Sequence, residues 1–345
     1  MNEIHLIKDY RGALYSSILN MYQLYSLDVG LFKRRLEEKG WTVQLHEFPD
    51  IDFSLDWKGK LVFYQSSEDI GLEYKSYIED VMLGLELAGA ILLPGYPFLR
   101  AHMNKSFMEI LRKVSAAPEA KTLDCRIFGV YEDFQRRADS IRFPAVFKPA
   151  AGAVSRGVAL IKNRDEALVQ LKKKMRSPIC LGTFKELYKR LLRKGHVPYS
   201  LRRQKIILQE FVPNLDGDYK VLIYGHRAYI VRRGVRDNDF RASGSGKLSW
   251  PKEIPDGLLE VAWKILKGFD VPHISLDIAF DGRQFHMIEV QFLQFGTATL
   301  DRSKHYWVRE NEQWRLVEGT SELEETIAEG LTLHAKEHDY WQGEE

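Results

Sequence analysis

Three side chains with metal-binding chemistry lie close together in an otherwise apolar stretch, residues 273–296 (HISLDIAFDGRQFHMIEVQFLQFG). They are the carboxylates of Asp277 and Glu289 and the amide of Gln291. A charged group among apolar residues costs free energy unless it is paired or coordinates a metal ion. Mg²⁺ prefers oxygen ligands and leaves some of its positions to water and phosphate oxygens. The stretch therefore indicates a Mg²⁺ site.

The same stretch predicts the local structure that would bring these groups together. Apolar and polar residues alternate from 274 to 281 as they do in a strand, and Asp281-Gly282 is a strong turn signal before a second strand. Glu289 and Gln291 are two residues apart and so share one strand face. A tight hairpin can place Asp277 opposite them. The competing interpretation is a solvated strand face on which the acids pair with Lys or Arg.

A loop of small residues forms a second candidate site. The string VFKPAAGAVSRG, residues 146–157, leads from a strand into a run of Ala, Gly and Ser, with Lys148 and Arg156 as positive charges. Such a loop offers backbone N–H groups to phosphate oxygens. It is not a P-loop, because the GxxxxGK[ST] string is missing. A long hairpin turn is the alternative. Lys105, near the start of a helix predicted over 103–113, is by itself an ordinary surface lysine.

Two further stretches concentrate positive charge. Four arginines fall in a predicted loop, RRGVRDNDFRASGSGK, at positions 232, 233, 236 and 241. Arginine forms bidentate pairs with carboxylates and phosphates. Residues 172–205 carry many Lys and Arg and one acid, Glu186, around a helix predicted over 183–194. That stretch is either a solvated face or a lid that attracts an anionic partner.

The elements that must position these groups begin with an α/β unit. Strands alternate with amphipathic helices, which is typical of a mostly parallel sheet. The predicted strands cover residues 4–7, 41–48, 60–65 and 90–93, and the predicted helices cover 13–39 and 74–88. Gly40 is expected to end the first helix. No GxGxxG string follows the first strand, so a dinucleotide fingerprint is absent.

Beyond residue 100 the patterns predict hairpins and isolated helices. The predicted strands cover 145–148, 158–161, 206–212, 217–223 and 227–231, with helices over 165–174, 258–268 and 321–338. Residues 301–318 are expected to be irregular or to form short strands. Ser321 and Glu324 have the spacing of a capping box at the start of the last helix.

Composition narrows the classes of protein that fit. A chain of 345 residues can hold two or three domains with a sizeable core, and 45% hydrophobic with 28% charged residues is ordinary for a soluble enzyme. The net charge of +2 does not argue for nucleic acid. Cys125 and Cys180 have no metal-ligand spacing. We find no signal peptide and no apolar run near ~20 residues, and we expect a cytoplasmic protein.

Several short strings, taken in order, resemble the ATP-grasp superfamily. They are NK at 104–105, VFKP with its loop, QEFV, GDYKV, the arginine run and LDI…IEVQF. The closest branch holds RimK-type glutamate ligases, glutathione synthetases and D-alanine–D-alanine ligases, and the resemblance covers almost the whole chain. It implies an α/β fold, α+β in the grasp lobes, in which two lobes clamp ATP. The implied parts are a pre-ATP-grasp domain (1–102), a small lobe (103–175), a basic helical insertion or lid (176–205) and a large lobe (206–345).

The resemblance also implies roles for individual residues. Lys105 and Lys148 resemble the lysines that reach the ATP phosphates. The loop from Gly152 through Ser155 and Arg156 to Gly157 resembles the mobile loop that covers them. The string Gln209, Glu210, Phe211, Val212 resembles the strand that presents backbone groups to adenine.

The remaining implied roles concern the large lobe. Asp218 stands where the family has an acid near the ribose, and Lys220 belongs to the same nucleotide-binding string. Asp277, Glu289 and Gln291 fall on the Mg²⁺ triad. Two ions are expected, with Mn²⁺ as an alternative.

The chain departs from the family at two positions. The third metal ligand is usually Asn, whereas Gln291 is one methylene longer and still offers an amide oxygen. Some relatives carry Arg two residues before the first metal Asp, where this chain has Ser275. The oxyanion-stabilising role then passes to Arg232 or Arg241, or is absent.

The implied activity is an ADP-forming carboxylate–amine ligase, or a carboxylate–thiol or carboxylate–hydroxyl ligase, that works through an acyl phosphate. Its substrate is expected to be an amino acid, a peptide or a related small acid, and a peptide or anionic acceptor is expected to dock on 176–205. Nucleic acid is disfavoured, because only Tyr188 and Tyr199 in that arm offer stacking. No membrane partner is expected, and a homo-oligomer is left open. The alternatives are a small-molecule kinase and a non-catalytic ATP-binding regulator, which Gln291 invites.

Overall fold

The structure is a computed structural model that describes residues 2–20, 23–152, 157–237 and 239–341. The chain divides into two compact units. The first unit consists of Met1–His102, Leu111–Thr122 and Asn214–Glu345. The second unit consists of Met103–Ile110 and Leu123–Pro213.

Seventeen strands and ten α-helices make up the described residues. The strands are β1 Asn2–Lys8, β2 Leu14–Asn20, β3 Gln23–Leu27, β4 Trp41–Glu47, β5 Leu61–Tyr64, β6 Ile91–Leu93, β7 Cys125–Phe128, β8 Ala145–Pro149, β9 Ala159–Ile161, β10 Ile206–Glu210, β11 Gly217–Tyr224, β12 Arg227–Gly234, β13 Leu248–Ser249, β14 His273–Phe280, β15 Phe285–Gln291, β16 His305–Glu310 and β17 Gln313–Glu318. The helices are α1 Val29–Glu38, α2 Glu73–Leu87, α3 Tyr96–Ala101, α4 Lys105–Val114, α5 Tyr131–Arg137, α6 Arg164–Lys174, α7 Leu181–Leu192, α8 Leu258–Phe269, α9 Ala298–Asp301 and α10 Leu323–Glu337.

The N-terminal part of the first unit contains a four-stranded sheet in the order β4-β1-β5-β6. All of its pairings are parallel. The inner strand β5 and the strand β6 are short and apolar, as expected when both faces are covered. The four side chains of β5 are all buried. The prediction of a parallel α/β unit is confirmed.

The predicted helix over 13–39 is wrong for its first half. Residues Leu14–Asn20 and Gln23–Leu27 form the antiparallel hairpin β2–β3, and the helix begins only at Val29. Asp28 ends the hairpin and caps the helix, since its side chain accepts from the Leu31 N–H at 2.9 Å. Tyr, Ser, Leu and Ile fit a pleated hairpin as well as a helix face. The apolar spacing alone therefore did not distinguish a strand pair from a helix here. The helix ends at Glu38 with Lys39 as its C-cap, and Gly40, with a φ of +91°, follows as the expected C′ residue.

The C-terminal part of the first unit is built on a seven-stranded antiparallel sheet. Six strands follow the order β15-β14-β11-β12-β16-β17, and β13 pairs with β12. Residues 301–318 contribute the hairpin β16–β17, whose turn residues Asn311 and Glu312 both have positive φ. Helix α10 crosses the β11–β12 turn closely: a Cβ on Gly225 would lie 2.9 Å from the Gly330 Cα, so only glycine fits there.

The last helix starts later than expected, and the predicted capping box is wrong. Its N-cap is Glu322, which makes no side-chain cap hydrogen bond. Glu324 instead accepts a hydrogen bond from the Asp28 N–H at 2.8 Å. This long-range bond ties α10 to the start of α1, and Trp41 adds a second tie by donating to Thr332 Oγ1 at 2.9 Å.

The second unit is built on a four-stranded antiparallel sheet in the order β7-β10-β8-β9. One face of this sheet packs on α5 and α6 through a core that includes Phe147, Leu208, Phe134 and Leu171. The predicted hairpin of 145–148 with 158–161 is confirmed. Strand β7 and helix α5 were not expected from the sequence. None of the described helices in either unit is long and apolar enough to cross a membrane.

Candidate functional site

The structure brings the three predicted metal ligands onto one face of the antiparallel sheet. Asp277 on β14 is opposite Glu289 on β15, and Ser275 is opposite Gln291. Lys220 on β11 is opposite Asp277 on its other side. Directly opposed residues in an antiparallel pair project to the same face. These side chains therefore form one polar face, which we call the carboxylate face.

A β-bulge makes this arrangement compatible with a buried hairpin core. The register shifts between Asp277 and Ile278, so that Ile278 is paired with Met287 while Asp277 is paired with Glu289. Ile288 is the extra residue. The shift keeps Met287, which is 1% exposed, on the apolar face with Ile278 while Glu289 follows Asp277. Without the bulge, the carboxylate of Glu289 would share a face with the side chain of Met287.

Arg233 links two carboxylates on this face. Its guanidinium donates to both oxygens of Asp218, at 2.6 and 2.8 Å, and its Nη2 lies 2.7 Å from Asp277 Oδ2. Lys220 Nζ lies 3.4 Å from Asp277 Oδ1. Asp218 and Asp277 formally balance Arg233 and Lys220.

Burial and charge act against each other on these groups. Burial opposes ionisation of Asp277, but the charges of Arg233 and Lys220 outweigh burial and hold its pKa well below the ordinary value. Burial would lower the pKa of Arg233, yet Asp277 and Asp218 raise it above its ordinary value. Burial raises the pKa of Asp218, because the bonds from Arg233 offset only part of its desolvation. Asp277 is therefore the permanently ionised acid of the pair.

The chemical type of these donors, oxygen atoms, is the type that Mg²⁺ prefers. Asp277, Glu289 and Gln291 offer oxygen atoms from adjacent strands, and each carboxylate oxygen of Asp277 can accept a second contact beside its cation. The Ser275 hydroxyl is buried on the same face and has no hydrogen-bond partner among the described residues. A buried polar atom without a partner is expected where a ligand or an ordered water completes the site. Asp277, Glu289 and Gln291 would hold the metal.

The predicted phosphate-binding lysines belong to the second unit. Lys148 lies on β8, is buried, and is opposite Ile207 of β10. Gln209, also buried, shares its face of the sheet because it lies two residues further along β10. That face is opposite the one that packs on α5 and α6 through Phe147 and Leu208.

The start of the small-residue loop is held by Lys105. Its Nζ donates to the Gly152 carbonyl at 2.9 Å, and its backbone N–H donates to the Ala150 carbonyl at 2.8 Å. Gly152 and Gly157 have φ values of +125° and +74°. Ser155 and Arg156 lie in residues 153–156, outside the described residues. Lys105 therefore joins the start of α4 to the chain that enters the loop.

The predicted adenine-binding string lies at the end of β10. Glu210 is the last residue of the strand, and its carboxylate accepts from the Asp124 N–H at 3.1 Å. Its own N–H donates to the Asp124 carbonyl at 2.8 Å. Phe211 and Val212 follow the strand and are half-buried. The Glu210 side chain thus has a local structural contact, while the string continues into non-strand backbone.

The arginine run is not a loop throughout, which corrects the sequence interpretation. Arg232 and Arg233 belong to β12, and their side chains project to opposite faces of the sheet. Arg232 pairs with the exposed Asp216 at 2.6 Å, away from the carboxylate face. Arg241 lies in the following loop and donates to Asp239 at 2.8 Å. The sequence pattern placed Arg233 in the arginine run but gave it no role of its own.

Comparison with known proteins gives a fold likeness. No family model matches the sequence, and no curated protein matches it. D-cycloserine synthetase DcsG is 14% identical, with a TM-score of 0.52 over 96% of this chain and 98% of that one. The ATP-grasp ligase PsnB is 12% identical, with a TM-score of 0.51 over 96% and 98%. A RimK domain ATP-grasp protein from Sphaerobacter thermophilus is 12% identical, with a TM-score of 0.50 over 99% and 100%.

Proposed function

We propose, because this chain has the ATP-grasp fold, that it is an ATP-dependent, ADP-forming ligase that joins a carboxylate to an amine. The observation that carries the proposal is the carboxylate face: Asp277, Glu289 and Gln291 on one side of a hairpin, with Asp277 kept ionised by Arg233 and Lys220.

The proposed reaction has two steps, phosphoryl transfer and then amide formation. A carboxylate oxygen of the substrate attacks the γ-phosphorus of ATP, the bond to the β–γ bridging oxygen breaks, and ADP leaves. An amine then attacks the acyl carbon of the resulting acyl phosphate, loses a proton, and expels inorganic phosphate. The first step needs neutralised phosphate charge and the second needs a donor for the oxyanion.

The metal site supplies the charge neutralisation. Mg²⁺ held by Asp277, Glu289 and Gln291 would offset negative charge on the phosphate oxygens. Arg233 and Lys220 position Asp277, and Asp218 in turn orients Arg233 through its bidentate pair. In metal sites generally, the residues that bind the ion are held in place by hydrogen bonds from residues around them. PsnB has been solved complexed with minimal precursor, Mg and ADP, which supports ATP and Mg²⁺ as ligands of this chain.

The second unit supplies the phosphate contacts in this proposal. Lys148 and Lys105 bind the phosphates, and the loop from Gly152 through Ser155 and Arg156 to Gly157 covers them. The string from Gln209 to Val212 is the proposed adenine-binding segment of the second unit. Asp218 and Lys220 are the proposed nucleotide contacts of the first unit. Lys105 Nζ contacts the Gly152 carbonyl in the structure, so binding a phosphate through Nζ would break that hydrogen bond.

Arg241 is the better of the two proposed oxyanion donors. Arg232 lies on the opposite face of the sheet from Asp277 and is paired with the exposed Asp216. Arg241 is in a loop and pairs with Asp239, from which a substrate oxyanion can withdraw it at modest cost. Lys148 would serve both to bind and to polarise the transferred phosphoryl group.

The basic arm, residues 176–205, is the proposed docking site for the acceptor. Glu186 is its one buried acid, and it accepts from Arg190 and contacts His196, both at 3.1 Å. These bonds hold helix α7 against the residues that follow it. Lys185 and Lys189 are exposed on the helix, as are the apolar side chains of Phe184 and Leu191. A peptide with acidic and apolar groups would match such a surface.

The activity is tested by measuring ADP release with candidate acids and amines. Amino acids, short peptides and sugar acids are screened with ATP and Mg²⁺, and the products are identified by mass spectrometry. We expect ADP release that needs both an acid and an amine, and a product lighter by one water than their sum. A stable phosphorylated product formed with one substrate would identify a kinase instead. Binding of ATP without turnover would favour a non-catalytic regulator.

The site assignment is tested by one pair of variants. Asp277→Asn removes the carboxylate charge at the proposed metal site, and we expect ADP release to fall at least about a hundredfold, since metal charge stabilisation amounts to several kcal/mol and tenfold corresponds to about 1.4 kcal/mol. Asp216→Asn is the matched control, because this carboxylate is exposed on the other face. Full turnover in Asp277→Asn would show that the metal assignment is wrong.

A further inference from the structure

A second group of metal-ligating side chains lies at the ends of helices α8 and α10. It consists of Asp270, His334 and His338, and one ligand atom from each lies within 4.8 Å of the other two. None of these residues belongs to the carboxylate face. We propose that this group binds a divalent transition-metal ion, with Zn²⁺ as the ion that its ligands fit best.

The backbone of the two helix ends sets the geometry. Asp270 is the C-cap of α8, in the left-handed conformation, and its N–H donates to the Leu266 carbonyl at 2.9 Å. Aspartate tolerates that conformation better than most residues. His334 and His338 are four residues apart at the end of α10, which places them on one side of the helix. Their ring centroids are 4.4 Å apart.

The distances suit a metal after small side-chain rotations. His338 Nε2 lies 2.8 Å from Asp270 Oδ1. Zinc at ~2.0–2.1 Å from each of its ligands in a tetrahedral site separates neighbouring ligand atoms by about 3.3 Å. The His338–Asp270 pair is closer than that, and the three ligand atoms all lie within 4.8 Å of one another. The side chains of Asp270 and His338 are 60% and 28% exposed, so both can rotate, while His334 is buried and fixed.

The chemistry of the three ligands favours zinc over magnesium. Zn²⁺ accepts imidazole nitrogen together with carboxylate oxygen, whereas Mg²⁺ takes oxygen ligands. His334 is buried, and its imidazole would offer a ring nitrogen to the ion. Three protein ligands leave a fourth position for water or a ligand from solvent.

The neighbouring charges form a separate group, which supplies a control. Lys267 pairs with Glu337 at 2.6 Å, and His226 lies 3.8 Å from the same carboxylate. His226 is 39% exposed, against 28% for His338, and lies outside the three-ligand group. Because the ion would join the end of α8 to the end of α10, metal binding should also stabilise the packing of the C-terminal helix.

The experiment titrates Zn²⁺ into tag-free, metal-free protein by calorimetry and repeats the titration with Co²⁺ while recording its visible absorption. We expect one high-affinity Zn²⁺ per chain, a tetrahedral Co²⁺ spectrum, and a higher thermal midpoint with Zn²⁺. His338→Ala and Asp270→Asn should each weaken Zn²⁺ binding at least about tenfold and remove the rise in midpoint. His226→Ala should bind Zn²⁺ as the unchanged protein does.

Both diagnostic variants alter exposed or half-exposed side chains, so they should fold, and circular dichroism verifies this. Equal Zn²⁺ affinity in the unchanged protein, His338→Ala and Asp270→Asn would overturn the proposal, as would the absence of Zn²⁺ binding. In either case the His338–Asp270 hydrogen bond is an ordinary link between two helix ends. The outcome does not depend on the proposed ligase reaction, because no readout uses turnover.

Discussion

Arg233 and Asp277 form a buried ion pair, with Arg233 Nη2 2.7 Å from Asp277 Oδ2. The same guanidinium holds Asp218 through two parallel bonds. One arginine therefore fixes an acid on β11 and an acid on β14, across three strands of the sheet. Removing it would leave two carboxylates with little solvent to replace it.

Arg233→Gln should consequently be strongly destabilising. Breaking a buried pair from one side costs about 3–5 kcal/mol, because the remaining charge loses its partner. Arg232→Gln, one residue away on the opposite face, should cost about 0–1 kcal/mol, since its partner Asp216 is exposed. Urea denaturation of the two variants measures the difference. Equal losses of stability would mean that the Arg233 pair is no more than a surface-like contact.

Gln291 offers a more specific test of the metal site. We expect Gln291→Ala to raise the Mg²⁺ concentration needed for half-maximal ADP release about tenfold, equivalent to about 1.4 kcal/mol. Gln291→Glu should lower that concentration, because it adds a negative charge on the carboxylate face. Gln284→Ala, on the exposed turn of the same hairpin, is the control. A Mg²⁺ dependence that is unchanged in both Gln291 variants would remove this residue from the metal site.

Much of the carboxylate face could be predicted from the sequence because it depends on local spacing. Glu289 and Gln291 share a face by strand periodicity, and Asp281-Gly282 predicts the turn that brings Asp277 beside them. The bulge at Ile288 could not be predicted, because it appears only in the register of β14 with β15. The short strings from NK at 104–105 to LDI…IEVQF, taken in their order, likewise predicted the ATP-grasp fold.

Arg233 shows why the rest could not be predicted. Four arginines beside Gly, Asp and Ser are typical of a loop, and nothing in the string separates Arg233 from Arg232. The choice is made by register, since Arg233 is opposite Asp218 on β11 and Arg232 is opposite Tyr219. The misassigned hairpin β2–β3 has the same cause: strand pairing is a non-local interaction that overrides a helix-like apolar spacing.

Two stacked histidines give the first unit a dependence on pH. His5 Nδ1 lies 2.9 Å from His46 Nε2 on the neighbouring strand, and both rings pack near Trp57. Burial lowers the pKa of both imidazoles below the ordinary 6.5, and the positive charge of Lys60 lowers them further. Protons therefore bind the unfolded chain more readily than the folded one.

The sign follows from that difference. A histidine with a depressed folded pKa contributes stability above pH 6.5 that is lost as the pH falls below it. We expect the free energy of unfolding to fall between pH 7 and pH 5, and His5→Gln to make this fall shallower. Denaturant unfolding at several pH values tests both statements. A stability that rises on acidification, or an identical slope in His5→Gln, would contradict them.

The proposed acceptor dock on α7 can be separated from nucleotide binding by two double variants of equal charge change. Lys185→Gln with Lys189→Gln removes two exposed charges from α7, and Lys172→Gln with Lys173→Gln removes two exposed charges from α6. Arg190 is left unchanged, because it donates to the buried Glu186 at 3.1 Å and holds the arm together.

If an anionic acceptor docks on α7, the first double variant should raise the KM for that acceptor about tenfold or more at low salt, while the KM for ATP stays within about twofold. The difference should shrink as salt screens the charges over a Debye length of about 10 Å at 0.1 M. The α6 variant should leave both KM values unchanged. Steady-state kinetics at two salt concentrations decides the matter, and equal effects of the two variants would mean that α7 offers no more than general positive charge.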